Sequence, residues 1–129
     1  MPAPATATYS NQAKIDAHTA FLALVDAGTG PANIKFYTEA DALLCTAPLT
    51  DPAGTVNGTT GQLTFTMGAT PNASASGTCT YATIASGPGT VCLTIPAQAG
   101  TVAVSGKIVV NSLTFVSGTP VQVVSAVIG

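Results

Sequence analysis

The chain has 129 residues, a length that suits one domain with its own core, and only 6% of them are charged. Three lysines, no arginine, four aspartates and one glutamate leave a net charge of −2, which excludes nucleic-acid binding through a basic patch, because neutralising phosphates takes clustered cations. Alanine, threonine, glycine and serine make up about half of the chain and tryptophan is absent, so the core falls to Val, Leu, Ile and a few Phe, and the surface to hydroxyls and backbone.

Residues 1–9 read as an extended N-terminal arm. Pro2 and Pro4 forbid an early helix, and the Ala/Thr alternation offers little to bury. The arm gains order by lying on a neighbour, which makes Pro2, Pro4 and Tyr9 the candidate partner-binding residues. A single domain, 10–129, follows. Ser10 can cap a helix at about 10–27, whose apolar stripe is Ile15, His18, Leu22 and Val25 with Phe21 beside it. Asp26-Ala27-Gly28 stops it and Pro31 prevents resumption. Asp26 opposes the helix dipole slightly, with no evident local reason.

From Ala32 onward the pattern has period two. Ile34 and Phe36 alternate with Lys35 and Tyr37, and Leu43, Cys45, Ala47 and Leu49 alternate with Leu44, Thr46, Pro48 and Thr50. Pro48 cannot donate to a ladder, so its strand is expected at an edge or a bulge. Asp51-Pro52-Ala53-Gly54 reads as a turn, with Asp51 in an Asx role, and Asn57-Gly58 as another. Leu63, Phe65 and Met67 mark the clearest half-buried strand. After a loop over 68–77, segments 78–84 and 90–95 flank Ala85-Ser86-Gly87-Pro88-Gly89 as a hairpin, with Val91, Leu93 and Ile95 on one side. Val102 with Val104, Ile108 with Val110, Leu113 with Phe115, and Val121, Val123 and Ile128 mark further short strands, the last after the turn Ser117-Gly118-Thr119-Pro120. The fold expected is mainly β: a β-sandwich of about eight strands, jelly-roll-like or immunoglobulin-like, led by one α-helix.

Charge is distributed unevenly. After Asp51 the only charged side chain is Lys107, so the devices that guard β-proteins against association are nearly absent over the last three-fifths of the chain. A surface covered by protein partners is expected, the alternative being a secreted or extracellular low-charge β-domain. No apolar run approaches the ~18 residues of a membrane span, and the first residues lack the basic start of an export signal; neither a membrane nor a nucleic-acid partner is expected. Cys45, Cys79 and Cys92 are odd in number and match no zinc spacing, which fits small reduced hydrophobes.

Candidates for chemistry are few. His18 lies on the helix's apolar stripe and reads as a packed histidine. Glu39 and Asp41 read as a solvated loop beside a strand. Gly28-Thr29-Gly30 follows a helix instead of leading into one, the wrong order for a phosphate cradle. Tyr9, Tyr37 and Tyr81 are too scattered along the chain for a stacking platform. No catalytic, cofactor-binding or metal-binding residue is therefore assigned, and no enzyme is expected.

Gly30-Pro31-Ala32-Asn33-Ile34-Lys35-Phe36-Tyr37-Thr38, directly after a helix ending in Asp26-Ala27-Gly28, resembles a group of small tailed-bacteriophage virion proteins. Leu49-Thr50-Asp51-Pro52-Ala53, the hairpin around Tyr81 and Leu93, and Val109-Val110-Asn111-Ser112-Leu113 leading to Ser117-Gly118-Thr119-Pro120-Val121 extend the resemblance over roughly 12–128. Tyr81-Ala82-Thr83-Ile84 departs from it, lacking bulkier aromatic and basic residues. The resemblance implies a capsid decoration (cement) protein, a dimer or trimer that binds the major capsid protein on the outside of an assembled shell. Its place would be the virion, assembled in the host bacterial cytoplasm. Strand edges would serve β-augmentation between subunits. The alternatives are a neck, tail or baseplate protein of the same virion, and a carbohydrate- or receptor-binding β-module.

Overall fold

The computed structural model describes residues 9–129. Helix α1 spans Asn11–Val25, and the Ser10 hydroxyl accepts from the Ala13 N–H at 3.1 Å as its N-cap. Nine strands follow: β1 Asn33–Tyr37, β2 Leu43–Val56, β3 Leu63–Met67, β4 Gly77–Thr78, β5 Tyr81–Ala85, β6 Val91–Ala99, β7 Lys107–Val110, β8 Thr114–Phe115 and β9 Val123–Ile128. The mainly-β expectation with one leading helix holds. The layering differs from a sandwich or jelly roll: seven strands close into a barrel in the order β1-β2-β3-β9-β7-β6-β5, and β4 and β8 form a separate two-stranded sheet.

Two strands that change partners account for the closure. β2 pairs with β1 up to Pro48 and with β3 from Leu49 onward. β6 pairs with β5 up to Pro96 and with β7 from Ala97 onward. Each therefore belongs to two walls, and a barrel corner forms where a strand passes from one sheet to the next. A proline stands at both corners, where the missing donor falls at the handover between neighbours. Pro48 thus marks a corner and not an open edge.

The residues 51–54, expected as a turn, lie inside β2 as a broad bulge. Leu49 pairs with Met67 and Gly54 with Phe65, so residues 50–53 stand opposite Thr66 alone. The Asp51–Pro52 peptide bond is cis. Asp51 is exposed and forms no Asx turn, whereas Ala53 is fully buried. The Asp26 carboxylate accepts the Ala53 N–H at 2.8 Å, which gives Asp26 the purpose that helix electrostatics alone denied it. It satisfies a buried donor and ties the end of α1 to the bulge.

A second bulge shifts parity at the start of β2. Phe36 pairs with Cys45 but Tyr37 with Leu43, so Leu44 is inserted. The alternation expected through Leu43 is displaced: Leu43 is 41% exposed and Leu44 1%. Val91 is likewise exposed, because β6 slips against β5 between Ile84 and Ala85. Val102 and Val104 form no strand; they belong to the crossover 100–106 that joins β6 to its parallel neighbour β7. The turn at Asn57 forms as expected, its side-chain oxygen accepting from the N–H groups of Thr59 and Thr60. The hairpin turn around Gly87 also forms, pressed so closely on the Thr29 and Gly30 carbonyls that a side chain there would clash with backbone.

One core runs through the barrel. Ile34, Phe36, Leu63, Ile84, Ile108 and Val110 are fully buried in it, and α1 adds Val25 with Phe21 and Leu22 packed against them. Phe21 meets Phe65, and Phe36 meets Phe115, both edge to face with centroids 6.4 and 5.5 Å apart.

Candidate partner-binding surface

The barrel's outer side is covered unequally by its own chain. Helix α1 packs along β2, where His18 Nδ1 donates to the Gly61 carbonyl at 2.6 Å and its ring rests against Gly129. The crossover 100–106 lies over β7 and β9: Gly106 N–H donates to the Val127 carbonyl at 2.8 Å, and Gly100 stands against the Val109 side chain. Val109 and Val127 alternate with the core residues Ile108 and Ala126, so they point outward, yet both are buried. The β4–β8 sheet closes over the region of Phe36 and Leu44, with Gly77 against Leu44 and the Leu44 carbonyl accepting from Ser74.

The remaining wall, β2-β1-β5-β6, is partly exposed among the described residues: Lys35, Tyr37 and Tyr81 are half-buried, and Thr46, Thr94 and Pro96 are exposed. Its inner residues Ile34, Phe36, Ala82 and Ile84 are fully buried, so Lys35, Tyr37, Tyr81 and Thr83 face outward. The register builds an outer row Leu43–Tyr37–Tyr81–Pro96 across four strands. A second row, Thr46–Lys35–Thr83–Thr94, lies beside it. Among the described residues the Thr83 hydroxyl is buried by its own chain and has no hydrogen-bond partner.

Tyr37 and Tyr81, 44 positions apart in the chain, are stacked with centroids 5.2 Å apart and planes 15° from parallel. The fold thus brings two of the three tyrosines together across β1 and β5, ring against ring, which their separation along the chain does not reveal. The Tyr81 hydroxyl donates to Asp41 Oδ1 at 2.6 Å. Asp41 adopts left-handed backbone, φ 65°, in a turn closed by hydrogen bonds between Thr38 and Ala42, a conformation that aspartate tolerates better than most residues. That hydrogen bond, with lesser contributions from desolvation and the Asp41 charge, pushes the Tyr81 phenol up to about 12. Glu39 in the same turn is exposed. Asp41 is therefore a fixed acceptor and not merely a solvated loop residue.

Of the arm residues, Pro2 and Pro4 lie outside the described residues. Tyr9 is 79% exposed and borders a groove of about 300 Å³ on α1, with Ala13, Lys14, Ala17 and His18. It does not join the Tyr37–Tyr81 pair. The three cysteines are free thiols. Cys45 and Cys79 are buried beside backbone carbonyls of Asn72 and Tyr81, and burial pushes both thiols up, Cys79 to about 11. Among the described residues no cluster of His, Cys, Asp or Glu could hold a metal ion, and no helix is long and apolar enough to cross a membrane.

No family model matches the chain, and no curated protein or solved structure is found to be similar to it. What the wall can do therefore rests on its own chemistry. Stacked tyrosines flanked by Leu43 and Pro96, with one lysine and two carboxylates nearby, form an amphipathic, low-charge face of the kind that protein partners cover. Its outward phase was visible in the alternation of Ile34 to Tyr37. The pairing of β1 with β5 was not, because no local pattern encodes which distant strand a strand meets.

Proposed function

We propose that this chain is a non-catalytic structural protein of a tailed-bacteriophage virion, a decoration protein that binds the major capsid protein on the outside of the shell. The low-charge wall that bears the stacked Tyr37–Tyr81 pair carries this reading, as a surface suited to contact with protein subunits of a particle, a second copy of this chain included. The low charge agrees, since little desolvation of ions opposes association. The resemblance of residues 12–128 to small virion proteins supplies the particle, and repetition over a shell would reinforce contacts that are individually weak. The strands of a closed barrel have neighbours on both sides, so attachment uses faces, and β-augmentation is left to the short β4–β8 sheet.

The stacked tyrosines also bear on the carbohydrate-binding alternative. A sugar needs an open ring face, whereas the register sets Leu43 beside Tyr37 and Pro96 beside Tyr81. The wall offers ring edges and a hydroxyl, which suit a protein partner. The test is co-sedimentation of the purified protein with empty expanded heads of the phage that encodes it. Saturation at on the order of hundreds of copies per head is expected. A few dozen copies or fewer would move the protein to the neck, tail or baseplate, and binding only to cell-surface glycan would reverse the assignment.

A further inference from the structure

We infer that the wall β2-β1-β5-β6 is the contact between two copies of this chain, related by a two-fold axis over the Tyr37–Tyr81 row. The inference rests on reading this wall as a protein-contact surface, and it leaves shell attachment to the rest of the molecule.

Charge selects the occupant. Along β1 and the turn after it, Lys35 lies two positions before Tyr37, and Glu39 and Asp41 lie two and four positions after it. Lys35 is the charge on the middle of the wall, and the two carboxylates stand at one end. A two-fold axis at Tyr37 reverses the direction of β1 in the second copy. Each Lys35 then faces the carboxylates of the other copy, and the tyrosine rows meet each other. A surface that carries opposite charges on the two sides of an aromatic row is complementary to itself, which an isologous interface requires. A partner of uniform charge would satisfy one end and be repelled by the other.

Size sets the strength. Four strands at ~4.8 Å spacing and five residues at ~3.3 Å give a wall of roughly 19 by 17 Å, below the span of an obligate dimer. A face of about 320 Å² per copy is the size of a weak, transient contact, so the dimer is expected to form only at high protein concentration.

The experiment is sedimentation equilibrium of the purified chain over a wide concentration range, with far-UV circular dichroism and thermal melting to show that each variant folds. The wild-type chain should interconvert between monomer and dimer. Tyr37→Ala should weaken the dimer about 30-fold or more, as truncation of a central aromatic does. Lys35→Glu and Glu39→Lys should each weaken it about tenfold, and the double reversal should restore most of the loss, because each reversed lysine position again faces an opposite charge. A chain that stays monomeric at every concentration overturns the inference. So does a dimer that all three single variants leave intact, or a double reversal no better than the single changes. A dimer that ignores empty heads would keep this inference and remove the capsid assignment; a monomer that binds heads would do the reverse.

Discussion

The wall of β7 and β9 and the wall of β1 and β5 share one core on their inner sides and treat their outer sides in opposite ways. On the first, Val109 and Val127 point outward and are buried, with Gly100 of the crossover against Val109, while Val124 stays exposed. On the second, Tyr37 and Tyr81 point outward and stay half-exposed, stacked on each other and tied to Asp41. An apolar outer residue that its own chain covers contributes to the stability of the monomer. One left at the surface contributes little until a partner arrives, so the same alternating pattern serves folding on one side and association on the other.

The largest expected effect tests what the walls share. Phe36→Ala should destabilise the whole barrel by about 3–5 kcal/mol, measured by urea unfolding, because Phe36 is fully buried against Phe115. On the covered wall, Val109→Ala should cost about 2 kcal/mol by the same measurement. A loss as small as that of an exposed substitution would show that the crossover does not bury this residue in solution.

Alkaline pH acts on both sides of the tyrosine-bearing wall. Cys79 is raised from 9.0 to about 11 by burial, and Tyr81 from 10.0 to about 12, chiefly by its bond to Asp41. Both folded values exceed the unfolded ones, so the fold favours the protonated groups. Their stabilisation is complete below about pH 9 and disappears as pH rises through 11 and 12. Melting temperature should therefore stay level to about pH 9 and fall above it, and Cys79→Ala should delay the start of that fall. Asp41→Asn has a narrower effect. It keeps the left-handed turn but removes the charge, so the Tyr81 phenol should titrate back toward 10 by ultraviolet absorbance while the melting temperature changes little. The smallest effect is expected for Thr83→Val, which deletes a buried hydroxyl without a partner. Stability of the monomer should change by less than about 0.5 kcal/mol or rise slightly.

Much of this architecture is legible in the residues themselves. Ser10 and the stripe through Val25 place the helix, the alternation at Ile34–Tyr37 and Leu63–Met67 assigns inner and outer faces, and Asn57-Gly58 and the segment around Gly87 mark real turns. Three features escape such reading for related reasons. Leu44 is buried because a bulge inserts it under the β4–β8 sheet, and Asp51-Pro52-Ala53-Gly54 bulges instead of turning because α1 and β3 hold it on both sides. Val102 and Val104 look like a strand but serve as a cover.

By itself, then, the amino-acid sequence determined the mainly-β class, the leading helix, the period-two faces and the scarcity of charge, all of which depend on neighbours along the chain. Only the tertiary structure decided that the strands close into a barrel, that Pro48 and Pro96 occupy equivalent corners, and that Tyr37 meets Tyr81. Each of these depends on which distant strand a strand joins and in what register. That choice is made by the packing of the whole core, because a local alternation fits many partners equally well.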